Sequence, residues 1–410
     1  MKEFFTLDDF EFEGKTVAVR IDLNSKFDKK GNLKANERFY AYSKTIKELI
    51  DKNAKIIVLA HQSRKGEKDF VGLERHSTIF SSILKKKVKF VDELIGEKAK
   101  KEIQNLKEGE VLMLDNVRFL DDETLNKTIE EHSNSSLVKF LSQFVDYYVL
   151  DAFSVSHRSH ASIVGFATVK PMIAGRVMEK EINEVKKVMK PLGINGWIIG
   201  GSKIDDCINV IEFLFKEKPE SIERILTGGL LANLFLISKG YEIGSGSIEV
   251  LRSKGYLELV ERAKKILDKY EKEIVLPEDV AFEKNGERKE ENIDLIPRDA
   301  TVLDIGSKTI SKYKEIIDDF RTIVVKGPLG LFEKPGFELG TKEILEKVSD
   351  ANAVTLIGGG DTGIAVEKFR IEKTKFSYIS VGGGALITYL SGKKMPGIEA
   401  LKISYNKFKK

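Results

Sequence analysis

Near the C-terminal end of this 410-residue sequence an apolar segment runs straight into three glycines and then into a helical pattern, and the same order occurs twice. The first copy is Ala353-Val354-Thr355-Leu356-Ile357 followed by Gly358-Gly359-Gly360-Asp361-Thr362. The second is Phe376-Ser377-Tyr378-Ile379-Ser380-Val381 followed by Gly382-Gly383-Gly384. Glycine lacks the Cβ that keeps an anion off the backbone, and the first turn of a helix offers unpaired N–H groups with a partial positive charge. One such turn is equally well a packing turn between strand and helix. Two of them at neighbouring strand ends point to a cradle for phosphate oxygens.

The rest of the chain has the same alternation of short apolar runs and helical patterns, which predicts parallel α/β architecture. Strands are expected at 16–23, 55–60, 87–91, 111–114 and 146–150, then at 196–199, 223–226, 273–276, 301–305, 322–325, 354–357 and 377–381. Between the two sets, 177–189 is a charged helical stretch with Val177, Ile182, Val185 and Val188 spaced for one face. The length predicts two domains. The expected organisation is an N-terminal domain at 1–172, a hinge helix at 173–190 and a C-terminal domain at 191–391, both domains being doubly wound parallel sheets facing a central cleft.

Composition closes off several classes of function. No apolar run approaches the ~18 residues of a membrane span, a net charge of +4 is too mild to argue for nucleic acid, and one cysteine, Cys207, excludes an internal disulfide and fits a reducing cytosol. A cytoplasmic protein acting on small molecules, as a monomer or homodimer, is the expectation.

In open parallel sheets ligands bind beyond the carboxyl ends of the strands. After the first-half strands stand Asp22 and Asn24, His61 and Arg64, Asn116 and Arg118, and His157 and Arg158. After the second-half strands stand Gly200-Gly201, Gly228-Gly229, Gly306, Gly327 and the two triplets. A cationic rim suits a small, densely anionic substrate, and a backbone-lined rim suits nucleotide phosphates. Lys203 follows Gly200-Gly201-Ser202 and opens an apolar-periodic helix, where a cation opposes the helix dipole unless an anion is held there. Asp361 is placed either to bind Mg²⁺ that bridges nucleotide phosphates or to cap its helix. His157 and His160, three apart, lack the Cys or carboxylate partners of a zinc site.

Three motif matches fail on context. Gly358, Gly360 and Gly363 fit the dinucleotide fingerprint, but the next strand ends in Val381-Gly382-Gly383-Gly384 with no acid for a ribose. Asp361-Thr362-Gly363 has no second copy, as an aspartic protease would need. Gly14-Lys15-Thr16 lacks the first glycine of a P-loop, because Asp9 stands there.

With these residues assembled, the sequence resembles the phosphoglycerate kinase family over nearly its whole length. The resemblance rests on Val19-Arg20-Ile21-Asp22-Leu23-Asn24, Asn36-Glu37-Arg38, His61-Gln62-Ser63-Arg64, Asp115-Asn116-Val117-Arg118-Phe119, and Asp151-Ala152-Phe153 through His157-Arg158-Ser159-His160. It continues with Met178-Glu179-Lys180-Glu181, Gly200-Gly201-Ser202-Lys203, Gly327-Pro328-Leu329-Gly330-Leu331-Phe332-Glu333 and both triplets. It implies phosphoryl transfer between 1,3-bisphosphoglycerate and ADP, giving 3-phosphoglycerate and ATP, with Mg²⁺.

Carried over by motif, Asp22, Leu23, Asn24, Arg38, His61, Gln62, Ser63, Arg64, Arg118 and Arg158 look like the phosphoglycerate site. Lys203, Glu333, Gly359, Gly360, Asp361 and Thr362 look like nucleotide contacts, with Glu333 at the ribose and Asp361 at the metal. Arg38, Lys203 and the N–H groups at Gly359 and Gly383 are implied to stabilise the phosphoryl group in flight. The family also implies that residues 392–410 return to the N-terminal domain. Three departures resemble the archaeal branch: Cys207 where a second lysine follows Lys203, Val325-Lys326 in place of Trp-Asn, and Gln62-Ser63 in place of Leu-Gly.

Overall fold

The computed structural model describes every residue except Met1, Lys29, Leu192, Glu220, Ser221 and Lys410. It divides into two compact units, Met1–Ile182 with Lys393–Lys410, and Asn183–Gly392. The division falls inside the helix Arg176–Val188.

The first unit holds β1 (Phe5–Thr6), β2 (Thr16–Ile21), β3 (Lys55–Leu59), β4 (Val88–Val91), β5 (Val111–Leu114), β6 (Tyr147–Asp151) and β7 (Met172–Ala174) in the order β1-β7-β6-β2-β3-β5-β4. All pairings are parallel. The centre of β2 is buried on both faces, as expected of a strand with helices above and below. From β2 the chain moves first to one side, through β3, and later to the other, through β6. The carboxyl ends of β2, β3 and β6 therefore surround a switch point. The helix Pro396–Phe408 belongs to this unit: Ser404 Oγ accepts from the Met172 N–H at 2.7 Å, and Tyr405 packs edge-on against Phe5 with ring centroids 4.9 Å apart. The edge strand β1 and its neighbour β7 lie outside the sequence expectation, being only two and three residues long.

The second unit holds β8 (Asn195–Ile199), β9 (Arg224–Thr227), β10 (Ile274–Val275), β11 (Asp279–Lys284), β12 (Glu287–Asn292), β13 (Val302–Ile305), β14 (Thr322–Lys326), β15 (Val354–Ile357) and β16 (Tyr378–Ile379). Six form a parallel sheet in the order β10-β9-β8-β14-β15-β16, with the switch at β8. The segment expected as a parallel strand at 301–305 is instead an edge of a three-stranded antiparallel sheet, β12-β11-β13. Its core side packs Ile305, Tyr313, Leu329 and Ile344 into one cluster with the main sheet.

Candidate active site

In the first unit the residues after β2 form a tight anionic and polar cluster. Asp22 is 1% exposed. Its Oδ2 accepts from Arg38 Nη1 at 2.7 Å and from Ser154 Oγ, and its Oδ1 accepts from the Asn24 N–H at 3.0 Å. Burial by itself raises this carboxyl, but Arg38 and the hydrogen-bond donors outweigh burial and hold it at about 2. Arg38 stands in the first turn of the helix Glu37–Asp51, whose start is fixed by Asn36 Oδ1 accepting from the Arg38 N–H at 3.0 Å.

His61 is almost fully buried, and Arg20 Nη2 lies 3.1 Å from its Nδ1. An arginine only donates, so Nδ1 accepts and the ring proton sits on Nε2. Burial first, then Arg20, Arg118 and Arg158, pushes its pKa well below the ordinary value against the pull of Asp22, so the ring is neutral. Ser63 has a left-handed backbone (φ 55°), and its N–H donates to Asn24 Oδ1 at 2.9 Å.

Arg64, Arg118 and Arg158 line one depression of about 550 Å³, together with Lys65, Thr124 and His160. Arg118 Nη1 donates to the Ser63 carbonyl, and Arg158 Nε donates to His157 Nε2 at 3.2 Å. Among the described residues no carboxylate is ion-paired with any of the three. Burial, reinforced by Arg20 and Arg158, lowers the Arg118 pKa to about 10. Three guanidinium groups, none in a direct ion pair, outnumber Asp121, the one acid of the lining, and form a receptor for a multiply charged anion.

Two residues assigned here from sequence face inward instead. Leu23 is fully buried, with its carbonyl accepting from Ser25 Oγ at 3.0 Å. Gln62 is clamped to Ser25 through both ends of its amide, Oε1 accepting from the Ser25 N–H at 3.0 Å and Nε2 donating to the Ser25 carbonyl at 2.8 Å. Both brace the loop from which Asn24 and Ser63 project.

A further network went unread in the sequence. Arg20 Nε donates to Ser162 Oγ at 2.9 Å, and the Ser162 N–H and Oγ donate to the fully buried Glu123 at 2.8 and 2.6 Å. Burial raises Glu123 to about 7 against the opposing field of Arg20. Arg20 thus sits behind His61 as a support.

In the second unit the glycine turns interlock. The Gly200 N–H donates to the Lys326 carbonyl at 2.8 Å, the Gly201 N–H to the Pro328 carbonyl at 2.7 Å, and the Gly229 N–H to the Leu329 carbonyl at 2.7 Å. A Cβ at Gly327, whose φ is 81°, would strike the Gly200 carbonyl, and one at Gly359 would strike the Ser380 carbonyl. These positions therefore need glycine for the close approach of neighbouring strand ends.

Lys203 is exposed and occupies the position just before the helix Ile204–Glu217, one residue earlier than the first-turn placement expected from sequence. Gly360 (φ 74°) precedes the helix Asp361–Lys368, so Asp361 is the first helical residue and makes no capping bond; its carboxylate is exposed. Gly383 (φ 53°) precedes the helix Gly384–Leu390 in the same way. Thr362 is buried, and its Oγ1 accepts from the Gly327 N–H at 2.9 Å.

Two adjoining cavities gather these groups. One of about 120 Å³ is lined by Lys203, Lys326, Gly359, Gly360, Thr362 and Gly383. The other, about 310 Å³ and walled by apolar groups such as Val280, Leu303 and Leu329, carries Glu333 at its edge. Asp361 lines both. Asn233, inside the helix Gly229–Ser238, and Lys254, just past the helix Ser245–Ser253, also line the larger cavity and were missed in the sequence, because neither stands at the end of a strand.

One α/β unit with a receptor for an anion and another with a glycine-lined cavity running into an apolar one define a phosphotransferase. A family model described as phosphoglycerate kinase matches residues 7–393. The chain is 41% identical to a phosphoglycerate kinase of Methanothermus fervidus over 98% of each sequence, and 40% identical to one of Pyrococcus abyssi over 99% of each. Its structure matches the crystal structure of phosphoglycerate kinase from Pyrococcus horikoshii with a TM-score of 0.90, at 38% identity, covering 98% of this chain and all of that one. The chain belongs to the phosphoglycerate kinase family.

Proposed function

We propose that the protein transfers a phosphoryl group reversibly between 1,3-bisphosphoglycerate and ADP, giving 3-phosphoglycerate and ATP, with the first unit taking the phosphoglycerate and the second the nucleotide. The observation that supports this division best is the contrast between the rims: Arg64, Arg118 and Arg158 around one depression, glycine N–H groups and Lys203 around the other. In this reading Arg64, Arg118 and Arg158 hold the substrate phosphate, with neutral His61 and Asn24 offering hydrogen bonds to its polar groups. Arg38, fixed by Asp22, faces the transferring phosphoryl. Adenosine fills the apolar cavity with Glu333 at the ribose, and the phosphates lie along Gly359, Gly360 and Gly383.

Phosphoryl transfer involves little covalent work by the protein, so rate comes from alignment and from charge placed around the equatorial oxygens. Arg38 and Lys203 supply that charge, and the Gly359 and Gly383 N–H groups add fixed dipoles. The donor set around Asp361 fits Mg²⁺, which takes one or two carboxylates plus phosphate oxygens and water. When bound, the ion neutralises the phosphates. The helix Arg176–Val188 serves as hinge between a phosphoglycerate-binding domain and a nucleotide-binding domain. Among the described residues no helix is long and apolar enough to cross a membrane. A coupled assay consuming ATP and 3-phosphoglycerate tests the reading; nucleotide binding without turnover would mean a non-catalytic nucleotide sensor.

A further inference from the structure

Lys326 Nζ donates to Cys207 Sγ at 2.9 Å, linking the end of β14 to the helix Ile204–Glu217. The lysine is only 8% exposed, and what remains open faces the smaller glycine-lined cavity with Lys203 and both triplets. Cys207 is fully buried and does not reach that cavity. Among the described residues no carboxylate pairs with Lys326. A largely buried ammonium with a single thiol partner is costly unless an anion completes its surroundings.

The thiol accounts for how the ammonium is held there. Burial pushes the Cys207 pKa up, so the group is a neutral S–H, bonded to the Lys203 carbonyl at 3.2 Å and the Gly200 carbonyl at 3.5 Å. Its sulfur therefore accepts one hydrogen bond from the ammonium while the S–H stays anchored in the glycine turn. The small side chain also leaves the volume into which the long side chain from β14 extends. A lysine at 207 would bring a second ammonium into the same space.

Resting on the nucleotide reading of this unit, we propose that Lys326 is a phosphate-binding cation of the nucleotide site, and that Cys207 is its positioning residue. The positive charge that a lysine on the helix would bring is delivered from the neighbouring strand instead. Position 207 and position 326 are then coupled: the site tolerates one ammonium from either element and not from both.

Titration calorimetry of the full chain with Mg-ADP, with adenosine as a phosphate-free control, tests this. Lys326→Met keeps the aliphatic volume and removes the charge; the expected result is roughly 10–100-fold weaker ADP binding, the range for a lost charge-assisted hydrogen bond, with adenosine binding unchanged. Cys207→Ser, which keeps a donor and acceptor, should retain ADP affinity within a few-fold. Cys207→Lys alone should weaken ADP binding, and Cys207→Lys with Lys326→Asn should bind ADP more tightly than Lys326→Met does. In steady-state assays the Lys326→Met effect should fall on the nucleotide KM and leave that for 3-phosphoglycerate unchanged. ADP affinity within about twofold of wild type in Lys326→Met, or equal losses for ADP and adenosine, would overturn the proposal. A wild-type protein that binds ADP but turns nothing over would sink the kinase reading while leaving this one standing; one that binds no ADP would sink both.

Discussion

Arg38 and Asp22 meet at 2.7 Å from separate elements, the arginine in the first turn of a helix and the aspartate just past the end of β2. The carboxylate is buried and the guanidinium partly open, with 1% and 28% side-chain exposure. Such a pair holds a cation in one orientation without covering it, which is what a transferring phosphoryl group requires.

Removing that cation should therefore cost rate rather than stability. Arg38→Ala and, in the second unit, Lys203→Ala are each expected to lower kcat roughly 10²–10³-fold while leaving thermal unfolding nearly unchanged. Steady-state kinetics alongside calorimetric melting of each purified variant decides it; unaltered kcat would remove that residue from the mechanism.

Asp22→Asn tests the orienting role separately. The amide keeps the shape but loses the charge that fixes Arg38, so kcat should fall while phosphoglycerate binding, proposed to rest on Arg64, Arg118 and Arg158, changes less. Because Asp22 is held at about 2, below its ordinary value, its contribution to stability is complete above pH ~4 and is lost as pH falls toward 2. Acid unfolding of Asp22→Asn should consequently be shallower than that of the wild type over that interval.

Glu123 has the opposite sign. Burial raises it from 4.5 to about 7, so between those values the folded chain holds a proton that the unfolded chain has released. Stability attributable to this group therefore declines as pH rises through that window, by up to a few kcal/mol. Urea unfolding at about pH 5 and pH 8 should show a larger decline for the wild type than for Glu123→Gln; parallel changes in the two proteins would rule the effect out.

Thr362 ties the turn after β15 to the turn after β14 through the Gly327 N–H. Thr362→Val leaves that N–H without its acceptor, and the expected cost is about 1–3 kcal/mol of stability. Since Gly327 follows Lys326, nucleotide affinity should fall as well. Chemical denaturation and ADP titration on the same preparation would measure both.

Transfer needs reacting atoms within about 3–3.5 Å, so substrates held by different units react only when those units close on one another. Solution scattering should give a smaller radius of gyration with both ligands than with either alone. An unchanged radius in the ternary complex would count against a hinge at the helix Arg176–Val188.

How much was legible beforehand varies with how local the cause is. β5 and β15 match their expected bounds to the residue, because each is a compact apolar run between polar turns. β12, Glu-Arg-Lys-Glu-Glu-Asn, carries no apolar pattern at all. The signal that would have found its hairpin is Asn285-Gly286, both residues having positive φ as a tight two-residue turn demands. The segment at 301–305 is a strand as expected, but the sheet it joins depends on partners distant in sequence. The site divides along the same line. Glycines and cations at strand ends announce themselves. The inward turn of Leu23 and Gln62 does not, nor does Glu123, whose bonding partner Ser162 lies 39 residues further on.

The return of the helix Pro396–Phe408 to β7 fixes an order for biogenesis. Residues 183–392 are contiguous and can close their sheets as soon as they leave the ribosome, whereas the first unit, though synthesised earlier, waits for the last stretch of chain to cover β1 and β7. The first unit therefore emerges first and is finished last, with β7 and Phe5 of β1 uncovered in the interval. Shortening the chain by the helix Pro396–Phe408 should thus damage the first unit and spare the second.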